Sequence, residues 1–180
     1  MRKFQAILAA ALCVAVLGGC STKRQYFEPT DVQNEKISEN RLPASIATAS
    51  INGAVLKNGM AITKNGLLAP ETKLTKGATL LNYSDDKIIS SDLDGNLIVA
   101  NSSNEILFQR SFNEAIVSAA LEDNKLALLS AGNVIYLIDI ATNDTLLEFE
   151  SSNVYAQDSR VAAPLFMSSL VIFPTLDGKI

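Results

Sequence analysis

Apolar and polar positions between Lys125 and Phe149 fall into three short runs separated by turn residues. Lys125-Leu126-Ala127-Leu128-Leu129-Ser130 is followed by Ala131-Gly132-Asn133 and then by Val134-Ile135-Tyr136-Leu137-Ile138-Asp139-Ile140. Ala141-Thr142-Asn143-Asp144 ends that second run, and Thr145-Leu146-Leu147-Glu148-Phe149 makes a third. Runs this short, rich in β-branched and aromatic side chains and bounded by Gly, Asn and Asp, predict the strands of an antiparallel meander.

The pattern recurs upstream as Lys87-Ile88-Ile89-Ser90-Ser91, a turn at Asp94-Gly95-Asn96, Leu97-Ile98-Val99-Ala100, a turn at 101–104, and Ile106-Leu107-Phe108-Gln109. Downstream it begins again with Leu170-Val171-Ile172-Phe173-Pro174 and Asp177-Gly178-Lys179. Gly95 and Gly132 lie 37 residues apart and Gly132 and Gly178 46 apart, the polar stretch 151–160 lengthening the second interval. Four-stranded repeats of about 40 to 50 residues are what propeller blades show, and each needs a neighbour to cover its faces. The chain therefore predicts an all-β fold, a partial β-propeller with blades at about 44–70, 78–112, 113–150 and 161–180. The expected form is an open arc of about three to four antiparallel four-stranded blades, the last incomplete. In the first blade, Asn52-Gly53, Asn58-Gly59 and Asn65-Gly66 predict consecutive hairpins with type I′ turns. The innermost strands of the later blades fall at 78–83, 113–120 and 161–167. An apolar strand edge is left open at Ile180, so the chain is expected to be the N-terminal part of a longer protein.

Residues 1–19 read as a secretory signal peptide: Arg2 and Lys3 precede an apolar run from Phe4 to Leu17 that is short for a transmembrane helix. The run ends in Leu17-Gly18-Gly19-Cys20, which resembles the bacterial lipobox. That resemblance implies a diacylglyceryl group on the Cys20 thiol and acylation of the freed amine. Several acyl chains on one residue hold a protein to a membrane without spanning it. Ser21 after the cysteine implies sorting to the outer membrane, periplasmic side. Residues 20–43 then form the lipidated cysteine and a polar tether without apolar period.

Composition narrows the chemistry. Cys13 and Cys20 are the two cysteines and there is no histidine. The folded part thus has no disulfide framework, thiol nucleophile or imidazole, which excludes Ser-His-Asp and Cys-His catalysis and the common zinc sites. The 15 Lys and Arg fall to 13 when Arg2 and Lys3 leave with the leader, against 19 Asp and Glu. Such a balance argues against nucleic acid as a partner. Asp92, Asp94 and Asn96 have a Ca²⁺-like spacing before Gly95, but the following residues read as a strand and no bidentate Glu closes a loop, so they predict a capped hairpin turn. Asp85-Asp86 and Glu122-Asp123 sit at equivalent places in the repeat, which suits solvated turns better than acid/base chemistry. Arg110 and Arg160 are the candidate partner contacts.

Asp139-Ile140-Ala141-Thr142-Asn143-Asp144-Thr145-Leu146-Leu147 resembles the repeat of quinoprotein-type propellers, Asp-x-x-Thr-Gly-Lys-x-x-Trp. Asp139 and Thr142 match, Asn143 stands for Gly, Asp144 for Lys and Leu147 for Trp; residues 101–108 are a weaker copy with Phe108 at the aromatic place. With no Trp in the chain, Leu and Phe packing is expected to replace indole docking between blades. The order of lipobox, polar tether and such blades resembles the propeller lipoproteins of the outer-membrane β-barrel assembly machinery, the BamB family. The resemblance implies a non-enzymatic scaffold, without cofactor or metal, that contacts other envelope proteins and assists insertion of β-barrel proteins. The alternative is a quinoprotein-type periplasmic dehydrogenase or ligand-binding propeller, which would take a quinone and Ca²⁺.

Overall fold

Residues 41–180 are the part of the chain that the computed structural model describes; the expected signal peptide, Cys20 and the expected tether as far as Asn40 lie outside the described residues. β1 (Ile46–Ala49), β2 (Gly53–Leu56), β3 (Ala61–Thr63) and β4 (Gly66–Leu67) form a first antiparallel sheet of short strands. β5 (Thr79–Ser84), β6 (Lys87–Ser91), β7 (Asn96–Asn101) and β8 (Ile106–Ser111) form the second. β9 (Ile116–Glu122), β10 (Lys125–Ser130), β11 (Val134–Asp139) and β12 (Asp144–Glu150) form the third, and the hairpin β13 (Leu165–Met167) and β14 (Leu170–Ile172) stands where a fourth begins. Strands pair in sequence order within each sheet, and the first strands lie side by side, β5 against β1 and β9, and β9 against β13. The fold is a partial β-propeller, open rather than closed, with successive sheets packed face to face.

The apolar runs are continuous because the sheets are covered on both faces. In β10, Leu126 and Leu128 join Leu97, Val99 and Phe108 in the core between the second and third sheets. Their neighbours Ala127 and Leu129 point the other way, to Val117, Ile135 and Phe173. A smaller core of Val55, Ala61, Leu80 and Ile88 joins the first sheet to the second. Each fully buried Leu contributes about 1.5–3 kcal/mol, so the inter-sheet layers hold the arc together. Polar stitches add direction: Asn52 Nδ2 donates to Leu81 O (2.8 Å), Asn82 Nδ2 to Ala119 O (3.0 Å) and Ser118 Oγ to Ala162 O (2.9 Å).

One turn recurs between the second and third strands of every unit. The N–H of residue i donates to the carbonyl of i+4 in Leu56/Met60, Asp92/Asn96 and Thr175/Lys179, and the N–H of i+3 donates back to the carbonyl of i, also at Asn133/Ser130. Residue i+3 is Gly59, Gly95, Asn133 and Gly178, all at positive φ (86°, 83°, 67° and 79°). The repeat is therefore in phase with Asn133 and not with Gly132. A type I′ turn needs positive φ at both central residues, and none of the three Asn-Gly dipeptides supplies it: Gly59 and Gly66 alone are positive, and Gly53 begins β2. The I′ geometry falls instead on Asp85 and Asp86 (48° and 62°), between the paired Ser84 and Lys87. Asn143, which stands for Gly in the motif of the sequence analysis, takes the left-handed conformation at 64°.

Candidate interaction surface

Among the described residues β12 pairs in its sheet with β11 alone, and every one of its residues is exposed. Its outer row of N–H and C=O groups is open. The pairing Ile135↔Phe149, Tyr136↔Glu148 and Leu137↔Leu147 then slips to Ile138↔Thr145, so Leu146 is an extra residue in the strand. A bulge of this kind bends a strand and re-aims its side chains. Leu147 and Phe149 face β13–β14, while Thr145 meets the second sheet.

Between β11–β12 and the β13–β14 hairpin runs a groove of about 700 Å³, with Ile135, Leu137, Leu147 and Phe149 on one wall and Leu170 and Ile172 on the other. Phe149 is 55% and Leu170 66% exposed, so the groove is apolar surface that nothing in the described chain covers. The sequence expects Phe108 and Leu147 to share the packing role of the missing indoles. Phe108 does so at 6% exposure, but Leu147 stays 42% exposed on the groove wall. Thr175 and Lys179 also line the groove, and both donate to Asp177, which accepts from Lys179 Nζ (2.6 Å), Ser152 Oγ (2.6 Å) and Thr175 Oγ1 (2.6 Å). These three donors, Lys179 foremost, hold its carboxyl below the ordinary value of 3.8. A depressed carboxylate stabilises the fold above its unfolded pKa and ceases to do so as pH falls toward the folded one. The stability difference between the native chain and Asp177→Asn is therefore expected to be greatest above about pH 4 and to shrink steadily in acid. Urea titrations across that range check it; a difference that grows in acid would contradict the network.

Arg110 lies off the groove: its Nη1 donates to Thr145 Oγ1 (2.9 Å) and its guanidinium stands 5.5 Å over the Phe112 ring, tying β8 to β12. Arg160 pairs with Asp158 within its own loop through Nε and Nη2, which raises the arginine above its usual pKa. The structure does not bring the two arginines together. Asp92 is absorbed by its turn: Oδ1 accepts from the Asp94 and Asn96 N–H groups and Oδ2 from Asn96 Nδ2. Burial pushes its pKa up, but those bonds outweigh it and the net direction is down. Asp139 is likewise engaged, by Lys125 and by the Ala141 N–H, and is lowered. Asp92 and Asp139 thus serve as turn caps, while Asp85 and Asp86 make up the turn between β5 and β6.

Asn133 is the structural residue that sequence reasoning missed. It is fully buried, donates Nδ2 to Ser152 O (3.0 Å) and accepts from the Leu176 N–H (2.8 Å), binding the turn of the third sheet to the fourth unit. Its place after Gly signals a left-handed turn, but nothing local signals the two distant partners.

No family model matches the chain. Two curated relatives, the plasminogen-binding protein PgbB of Helicobacter pylori strains 26695 and J99, are each 26% identical over 219 aligned residues, covering 96% of this chain and 40% of theirs. The chain thus spans about two fifths of the length of the curated relatives it matches. Among solved structures, the computationally designed Ika4 protein superposes with a TM-score of 0.56 at 22% identity, covering 79% of this chain and 92% of its own. The designed Ika8 protein gives 0.50 at 20%, covering 66% and 38%. BamB from Moraxella catarrhalis gives 0.49 at 14%, covering 72% and 42%. At these identities the structural likenesses bear on the fold alone.

Proposed function

We propose that this chain is part of an envelope lipoprotein, held to the outer membrane through Cys20 on the periplasmic side, whose propeller binds other proteins and catalyses no reaction. The observation that carries this reading is the outer edge of β12, the last strand of a complete four-stranded sheet, which is unpaired among the described residues. A strand edge of that kind, with its N–H and C=O groups open, is what strand addition uses. Glu148 lies on the opposite face of the strand, where it discourages indiscriminate edge pairing without obstructing the groove. The enzymatic alternative draws less support from the described residues, among which Asp92 and Asp139 are engaged in turn hydrogen bonds.

Two partners fit a scaffold of this kind. The resemblance in order of lipobox, tether and blades favours the β-barrel assembly machinery. The name of the sequence relatives favours plasminogen, a partner that requires the propeller to face outward from the cell rather than into the periplasm. Affinity capture from detergent-solubilised envelopes and direct binding to purified plasminogen separate the two, and a chain that bound neither would remove the proposal. Leu147→Glu with Phe149→Glu is expected to leave the melting temperature within a few degrees, since both side chains are exposed. The same pair should weaken binding at least about tenfold, as loss of a central apolar anchor does. Unchanged affinity in a folded double variant would move the binding surface elsewhere.

A further inference from the structure

Charge is unevenly placed along the arc. Between Arg41 and Leu80 the sequence carries Lys57, Lys64, Lys73 and Lys76 against Glu71 alone, whereas residues 113–150 set Lys125 against seven acidic side chains. Three of the first-sheet lysines gather at one place. The Leu74 N–H donates to Gly59 O (2.9 Å) and Lys73 bridges to Met60, which lays 73–76 along the turn that contains Lys57. Lys57 and Lys76 share the rim of one depression of about 500 Å³. All three are exposed, and the ion pairs among the described residues, made by Lys125, Arg160 and Lys179, involve none of them.

The Lys57 N–H donates to Ser45 O (2.9 Å), so the segment that leads from Arg41 into β1 reaches the fold at this same turn. The basic cluster and the point at which the upstream chain joins the propeller therefore coincide. We propose that Lys57, Lys73 and Lys76 form a contact surface for the anionic headgroups of a lipid bilayer. This rests on the lipoprotein reading above only for which membrane is met. An anchor fixes distance but not orientation; a basic end beside the tether would lay the first sheet on the membrane and turn the acidic third sheet and its groove outward. Exposed lysines without carboxylate partners among the described residues suit a diffuse anionic surface, to which each adds attraction within about a Debye length.

The test uses the mature chain, residues 20–180, carrying Cys20→Ser, so that neither acylation nor the apolar leader hides a peripheral contact. Co-sedimentation is measured with phosphatidylcholine vesicles with and without phosphatidylglycerol. Binding is expected only when the anionic lipid is present and should weaken with salt. Lys57→Glu with Lys73→Glu and Lys76→Glu should reduce it by roughly a hundredfold, about fivefold per lysine, with an unchanged circular dichroism spectrum. Lys125→Glu, at the acidic end, should bind like the parent. Binding equally to both compositions, no binding, a triple variant that binds like the parent, or full competition by millimolar inorganic phosphate would each overturn the proposal. Membrane retention of the acylated chain is assayed separately, so failure of the anchor and failure of the lysine surface are told apart.

Discussion

Gly95→Ala is expected to destabilise the fold by about 2–5 kcal/mol, most of the stability of a marginal domain. Gly95 sits at φ +83°, and a Cβ there would lie 2.4 Å from Phe112 O and 2.6 Å from Glu114 O. Left-handed backbone costs an L-residue roughly 1–2 kcal/mol, and overpacking against atoms that cannot swing aside adds about 1–3 kcal/mol. Both obstructing atoms are backbone, and the Phe112 N–H donates to Gly95 O (3.0 Å), so the turn and the segment crossing to the third sheet are locked together. Gly178 occupies the equivalent place at φ +79° with nothing within 4 Å of a Cβ. Gly178→Ala should therefore show the conformational cost alone, about 1–2 kcal/mol. Urea midpoints for the two variants measure the close approach by difference, and equal losses would mean that the 112–114 segment yields freely.

The same turn explains what the sequence disclosed and what it withheld. Strands β10 and β11 could be read because residues that alternate between two buried faces must be apolar, as Leu126 to Leu129 and Val134 to Ile138 are. The phase of the repeat differs by one residue from the glycine spacing, because the requirement is positive φ rather than glycine, and Asn133 meets it in the third sheet. For that reason the intervals are 38 from Gly95 to Asn133 and 45 from Asn133 to Gly178, not 37 and 46. The Asn-Gly dipeptides failed as I′ signals because a dipeptide states a preference and the strand pairing decides which residues lie between the last paired positions. Asp85-Asp86, with no glycine, fell between Ser84 and Lys87 and took the conformation.

The candidate surface was less legible for a related reason. Leu146-Leu147-Glu148-Phe149 shows a strand, but which of its faces is covered depends on the unit that packs next to it. Arg110 was singled out by residue type, while its partner Thr145, 35 positions away, follows only from the packing of β8 on β12. Distance along the chain, rather than weak local signal, separates the readable from the unreadable parts.

Adjacent leucines in β10 offer the sharpest consequence of sheets covered on both faces. Leu128→Ala and Leu129→Ala each remove a side chain of 0% exposure, and each should cost about 2–5 kcal/mol through lost transfer energy and a residual cavity. Their effects should appear in different places. Leu128 belongs to the layer with Leu97, Val99 and Phe108, so its loss loosens the second sheet from the third. Leu129 belongs to the layer with Val117, Ile135 and Phe173, so its loss frees the β13–β14 hairpin and leaves the second and third sheets joined. In repeat architectures stability is carried by nearest-neighbour interfaces and subunits of structure open in turn. Amide hydrogen exchange should accordingly show faster exchange across β13–β14 in Leu129→Ala, and across β5–β8 relative to β13–β14 in Leu128→Ala. Identical exchange patterns in the two variants would mean that the arc opens as one cooperative body, and the description of it as separately coupled sheets would have to be given up.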